Sequence, residues 1–120
     1  KDIPISNETN YNPEAMWQKG SYALRRLYHE SDKPILVVYT SKNCGPCHVL
    51  KPQIKRVLQE SNGKVQGIEI DIENEQDIAT QAGINGTPIV QLFKNKQLIK
   101  QWKGVKQRNE FKTEIKKLFN

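Results

Sequence analysis

The sequence predicts an α/β fold in which a central mixed β-sheet is flanked by helices and closed by an antiparallel hairpin. Three observations carry this. The apolar, β-branched run Pro34-Ile35-Leu36-Val37-Val38-Tyr39 is short and leads into a helical pattern, as a strand buried on both faces does. A second run, Val65-Gln66-Gly67-Ile68-Glu69-Ile70-Asp71-Ile72, alternates with apolar residues at 68, 70 and 72. Strand, helix and strand in that order make parallel neighbours. Two further strand patterns, Pro88–Phe93 and Leu98–Trp102, flank the tight turn Lys94-Asn95-Lys96-Gln97 and pair antiparallel.

From Lys1 to about Pro13 the chain is polar and without periodicity, so residues 1–19 read as a linker or N-terminal arm and residues 20–120 as one folded domain. Ser21–Tyr28 puts Leu24, Leu27 and Tyr28 on one helical face, with Ser21 as cap and Asp32-Lys33-Pro34 as stop. The first strand runs from about Ile35 to Thr40. A long helix starts near Pro46, with Val49, Leu50, Ile54, Val57 and Leu58 at helical spacing. Pro52 within it predicts a kink, and Asn62-Gly63 ends it. Glu75–Gln81 is a short helix with Ile78, Ala79 and Ala82 inward and Gly83 as its stop. Pro88 opens a strand, which suits an edge or a strand's first residue. Trp102 belongs to the core, and Gly104 breaks the hairpin. Arg108–Phe119 is an amphipathic helix with Phe111, Ile115, Leu118 and Phe119 on its apolar side and Lys112, Lys116 and Lys117 outside.

A chain of 120 residues is long enough for one domain with a real core. No apolar stretch approaches the ~18 residues of a membrane span. The first residues lack the apolar core of a secretory signal, and the chain starts on Lys1, as a fragment or a processed form does. The net charge of +6 serves solubility, with acidic partners as the sharper reading. Nucleic-acid binding is not expected, because the lysines are not interleaved with an aromatic platform.

Cys44-Gly45-Pro46-Cys47 follows the first strand, opens the long helix, and holds both cysteines of the chain. Thiols at i and i+3 lie one turn apart, within reach of a small disulfide ring. A strand feeding such a pair reads as a redox site in a βαβ unit, so the predicted chemistry is thiol–disulfide exchange. A lone pair fits a reducing compartment better than the disulfide framework of a small secreted scaffold. Cys44 takes the role of nucleophile at the helix N-terminus, where unpaired N–H groups and the dipole stabilise a thiolate. Cys47, one turn inward, is the resolving thiol. Pro46 fixes φ in the first turn and brings no N–H. His48 is a candidate for tuning the thiolates near neutral pH, an exposed helix-surface imidazole being the ordinary alternative.

Cys44-x-x-Cys47-His48 also spells the c-type haem attachment pattern. Haem needs a further ligand, and the single methionine, Met16, lies in the polar arm. Two cysteines and two scattered histidines do not give the spacing of a structural zinc site, so no metal is expected.

Cys44-Gly45-Pro46-Cys47, Pro52, Asp71, Thr87-Pro88, Phe93-Lys94-Asn95 and Gly104 resemble thioredoxin in order and spacing, over roughly Gly20 to Asn120. The resemblance implies the thioredoxin fold, a cis Thr87–Pro88 bond facing the cysteines, and a Thr87 backbone that grips the substrate chain in strand-like pairing. Gly86 and Gly104 are then positions where a partner backbone comes close, with turn geometry as the alternative. A narrower resemblance rests on Gly20–Ser31, Leu50-Lys51-Pro52, Glu69–Glu73, Gly83–Pro88 and Gly104-Val105-Lys106. These are similar to the C-terminal thioredoxin domain of the NADPH-thioredoxin reductase C type of cyanobacteria and plastids. That resemblance implies a flavin-containing thioredoxin reductase, fused or separate, as electron donor, and a 2-Cys peroxiredoxin as acceptor. No cofactor is expected in this domain, since FAD and NADPH belong to the reductase. It also implies a bacterial cytoplasm or the plastid stroma.

Two departures from ordinary thioredoxin stand out. Asn43 occupies the place of the usual Trp. Val38 stands where a buried Asp lies under the second cysteine, and Gly67 stands in for its Lys neighbour, which leaves no carboxylate evident to take the Cys47 proton. Rival readings are a stand-alone thioredoxin with other targets, an oxidase or isomerase, which Gly45-Pro46 argues against, and a redox-silent docking module.

Overall fold

The computed structural model describes residues 11–119. Among them the elements are β1 (Trp17–Lys19), α1 (Ser21–Glu30), β2 (Ile35–Thr40), α2 (Gly45–Glu60), β3 (Gln66–Asp71), α3 (Gln76–Ala82), β4 (Ile89–Lys94), β5 (Gln97–Lys103) and α4 (Arg108–Lys117). The strands form one sheet in the order β1-β3-β2-β4-β5. β3 runs parallel to β1 and β2, while β4 runs antiparallel to β2 and β5. The mixed sheet and its closing hairpin are those the sequence predicts.

Every residue of β2 is buried, because strands lie on both of its edges and helices on both faces. Pleating sends Leu36 and Val38 to one side, where they pack with Leu50, Ile54 and Leu58 of α2 and Phe111 and Ile115 of α4. Ile35, Val37 and Tyr39 go to the other, against Ala23 and Leu27 of α1 and Ile78 and Ala79 of α3. Burial pushes the Tyr39 phenol up to about 12, and its hydroxyl donates to Gln91 Oε1 at 2.9 Å. Trp102 is buried and meets the Phe111 ring edge-on at 4.8 Å. The hairpin turns through Asn95 and Lys96 at φ 52° and 67°, the left-handed pair that a two-residue turn between twisted strands demands.

Several expectations need correction. Trp17–Lys19, assigned to the arm, is a strand on the edge of the sheet, paired with Gly67–Glu69. Three residues are too few to show a period. The rest of that arm lies partly outside the described residues; within them, Tyr11 meets Tyr22 edge-on at 5.9 Å and receives Arg26 over its ring at 4.7 Å. Ser21 is not the cap of α1: Gly20 holds that place, and the Ser21 N–H donates to Glu75 Oε1 at 3.1 Å. A carboxylate distant in sequence thus satisfies an orphan donor of the first turn. Val49 is 57% exposed, because Leu50, Ile54, Val57 and Leu58 already complete the inward stripe. Phe119 is also exposed, lying beyond the end of α4. Pro88 precedes β4, which is an interior strand and not an edge. Lastly, the β3 neighbour of Val38 is Glu69; Gly67 pairs with Leu36.

Gly67 has a packing reason. A Cβ there would stand 2.5 Å from Leu58 Cδ1 and 2.9 Å from Trp17 Cε3. Leu58 is fully buried and the partly buried Trp17 packs against the same cluster, so Gly67→Ala is expected to lose about 1–3 kcal/mol in a denaturant titration, the range of overpacked sites. Trp17 fluorescence should report the displacement of β1, and an unchanged midpoint with unchanged emission would refute this.

Glu60 joins α2 to α4, with Lys112 Nζ at 2.7 Å and Arg56 Nε at 3.0 Å. The Lys112 hydrogen bond, then that of Arg56, hold its carboxyl at about 2, below its ordinary 4.5. A depressed carboxyl contributes stability above its unfolded value and loses it as pH falls through the folded one. Glu60→Gln should therefore flatten the fall in denaturation midpoint between about pH 5 and 2.

Candidate active site

β2 ends at Thr40, and the chain turns through Ser41–Asn43 into α2. Cys44 is the N-cap, extended at φ −127° and ψ 97°, and its Sγ accepts the Cys47 N–H at 3.1 Å. Gly45 and Pro46 form the exposed first turn, with proline where an N–H has no helical partner. Cys44 and Cys47 are joined in a disulfide with their Cα atoms 5.3 Å apart. The pair is unequal: Cys44 is 8% exposed and Cys47 is 2%.

Thr87–Pro88 is cis and faces this pair. Thr87 Oγ1 lies 3.6 Å from Cys44 Sγ and 2.7 Å from Ser41 Oγ. The Pro88 carbonyl accepts the Gly104 N–H at 2.9 Å, and Gly104 is at φ 84°, so the turn itself calls for glycine there. Gly86 has open space where a Cβ would be. The structure thus brings together Cys44, Gly45, Pro46, Cys47, Thr87 and Pro88. It leaves His48 exposed on α2, without a side-chain hydrogen bond among the described residues.

On the rim, Lys42 Nζ reaches Asp71 Oδ2 at 3.0 Å and Asn74 Oδ1 at 2.8 Å. Burial raises the Asp71 carboxyl, but Lys42 and the N–H groups of Glu73 and Asn74 outweigh it, and the net shift is downward. On the other flank an open cleft of about 420 Å³ lies between Val49 and the turn Val105–Asn109.

On the sheet face under α2 lies a residue to which the sequence reading gave no role. Glu69 is buried, and its Oε2 accepts Thr40 Oγ1 at 2.8 Å and Lys51 Nζ at 3.2 Å. Alternation with the apolar Ile68 and Ile70 puts Glu69 on the opposite face of β3 but does not show that this face is covered. The missed signal was β1: a strand flanked on both edges and covered on both faces hides its polar positions as well. Among the described residues no group of three or more His, Cys, Asp and Glu is arranged to hold a metal.

Comparison with known proteins agrees with this geometry. The family profile described as Thioredoxin matches residues 19–117. The chain is 55% identical over 94 residues to NADPH-dependent thioredoxin reductase 3 of Arabidopsis thaliana, covering 78% of this chain and 18% of that protein. It is 30% identical over 88 residues to mitochondrial thioredoxin of Bos taurus, covering 73% and 53%. The chain therefore spans about a fifth and about half of these relatives. A crystal structure of chloroplastic thioredoxin z superposes with a TM-score of 0.79 over 88% of this chain and 96% of that one, at 20% identity. The chain belongs to the thioredoxin family of thiol–disulfide oxidoreductases, with Cys44 and Cys47 as its disulfide pair.

Proposed function

We propose that this domain reduces protein disulfides with electrons from a flavin-containing, NADPH-dependent thioredoxin reductase, fused or separate. The observation that carries this is the unequal pair at the start of α2: the sulfur at the N-cap already accepts a helix N–H, and its partner lies one turn deeper. A thiolate at Cys44 gains from that N–H and from the helix dipole. It attacks the target disulfide, forming a mixed disulfide and releasing one target thiolate. The Cys47 thiolate then attacks Cys44 Sγ, the second target sulfur leaves, and the oxidised pair remains.

Thr87 grips the target backbone. Neither its N–H nor its C=O is bonded within the described residues, so both are open to strand-like pairing. His48 adds an imidazole to the rim and tunes the thiolates only from a distance. The 55% identity to the Arabidopsis protein, named as an NADPH-dependent thioredoxin reductase, supports the donor; a 2-Cys peroxiredoxin as the disulfide-bearing target rests on the sequence resemblance alone. A reducing compartment suits a protein whose only cysteines form this pair. On the sequence resemblance, that compartment is a bacterial, cyanobacterial-type cytoplasm or the plastid stroma.

The test couples the domain to a flavin reductase and a 2-Cys peroxiredoxin and follows NADPH oxidation. Cys44→Ser should reduce the rate to background, and Cys47→Ser should accumulate a mixed disulfide visible by mass spectrometry. Unchanged turnover in Cys44→Ser would favour a docking module. The Cys44–Cys47 potential should lie near about −270 mV, the thioredoxin value; a value near about −180 to −120 mV would point to an oxidase or isomerase.

A further inference from the structure

One carboxylate lies buried on the sheet face that α2 covers, and the exchange steps above do not use it. Glu69 is 7% exposed. Ile68 and Ile70 fill the layer under α1 and α3, so Glu69 turns to the α2 side. Its in-register neighbour on β2 is Val38, which cannot ionise. Oε2 is held by Thr40 and Lys51, while Oε1 is buried and bonded to no described residue. Lys51 sits one turn beyond Cys47 on the same face of α2. Thr40 is the last residue of β2, just before the loop that carries Cys44. Residues on either side of the redox pair therefore converge on a single carboxylate.

We propose that Glu69 accepts the proton of the Cys47 thiol when Cys47 resolves the mixed disulfide, an inference that rests on the exchange mechanism above. The Cys47 S–H bond breaks and its proton goes to the Glu69 carboxylate. The Cys47–Cys44 bond forms as the bond from Cys44 to the target sulfur breaks. The electron pair leaves with the target thiolate, which takes a proton from solvent; two domain thiols are oxidised and one target disulfide is reduced. The proton crosses the layer between α2 and β3 directly or over one water. Lys51, with its side chain 26% exposed, links the carboxylate to solvent. The charged groups around Glu69 are Lys51 on α2 and, in register on β1, the exposed Lys19. Thr40 and Val38 on β2 carry no charge, and the buried Trp17 Nε1 does not titrate.

Stopped-flow reaction of the reduced protein with 5,5′-dithiobis(2-nitrobenzoic acid) separates the steps. One thionitrobenzoate leaves when Cys44 attacks and a second when Cys47 resolves. Glu69→Gln should leave the first release unchanged and slow the second roughly 100-fold at neutral pH, the low end of what a placed base contributes. The deficit should shrink as pH rises past the ordinary thiol value of about 8.5, where a thiol needs no base to ionise. Equal second releases across the pH range overturn the proposal, whereas a missing first release overturns Cys44 as nucleophile. If Glu69→Gln does not fold, Lys51→Met keeps the carboxylate and carries the test. Without the ammonium the carboxylate loses the partner that holds it on the α2 side, so the second release should slow while the first stays unchanged; an unchanged second release overturns the proposal.

Discussion

The parallel ladder between β2 and β3 is the constraint on which the rest depends. Ile35 to Thr40 pair in register with Gln66 to Asp71, and the two strands end level. Their ends put the Cys44 loop beside the turn after Asp71, at the carboxyl edge where open α/β sheets hold their sites. Lys42 ties those two turns together through Asp71 and Asn74. β4 runs the other way, so its first residue, Ile89, pairs with Tyr39 near the end of β2. Opposite strand direction is what delivers Thr87 and Pro88 to the same edge as the cysteines.

The inequality of the two cysteines follows from the same arrangement. α2 must lay Leu50, Ile54 and Leu58 on the sheet. That registration turns Cys47, on the first turn, toward the core, and leaves Cys44 at the N-cap, where the chain arrives from β2. Reactivity and burial are thus divided by helical phase alone. The dipole acts on the sulfur at the end of the helix, and the fold shields the sulfur inside it.

Much of this was legible because it is local. The β2 run, the α2 stripe, the two-residue hairpin turn and the Cys44–Cys47 spacing each depend on neighbours within about two turns. The cis bond at Thr87–Pro88 was legible only through resemblance, since most X-Pro bonds are trans. What stayed hidden depends on contacts across the chain. The α1 donor at Ser21 is satisfied by Glu75. Val49 and Phe119 are apolar but fall outside the stripes that packing selects. Glu69 reads as an exposed strand residue until β1 is known to cover the edge of β3.

That last point gives the N-terminal segment a structural role. β1 is three residues long, and its Trp17 lies over Gly67, where an added side chain would meet the ring. With the indole lodged there, and Lys55 Nζ 5.3 Å from its ring centre, the edge of β3 becomes interior. Glu69 is two residues further along the same face. A buried carboxylate is tolerated only when paired and hydrogen-bonded, and Thr40 and Lys51 meet that need from β2 and α2. The carboxylate under α2 is therefore held jointly by four elements, one of them upstream of the Gly20 boundary expected from the sequence. An apolar Val38 is compatible with this arrangement, whereas a second carboxylate there would stand in register with Glu69 and repel it.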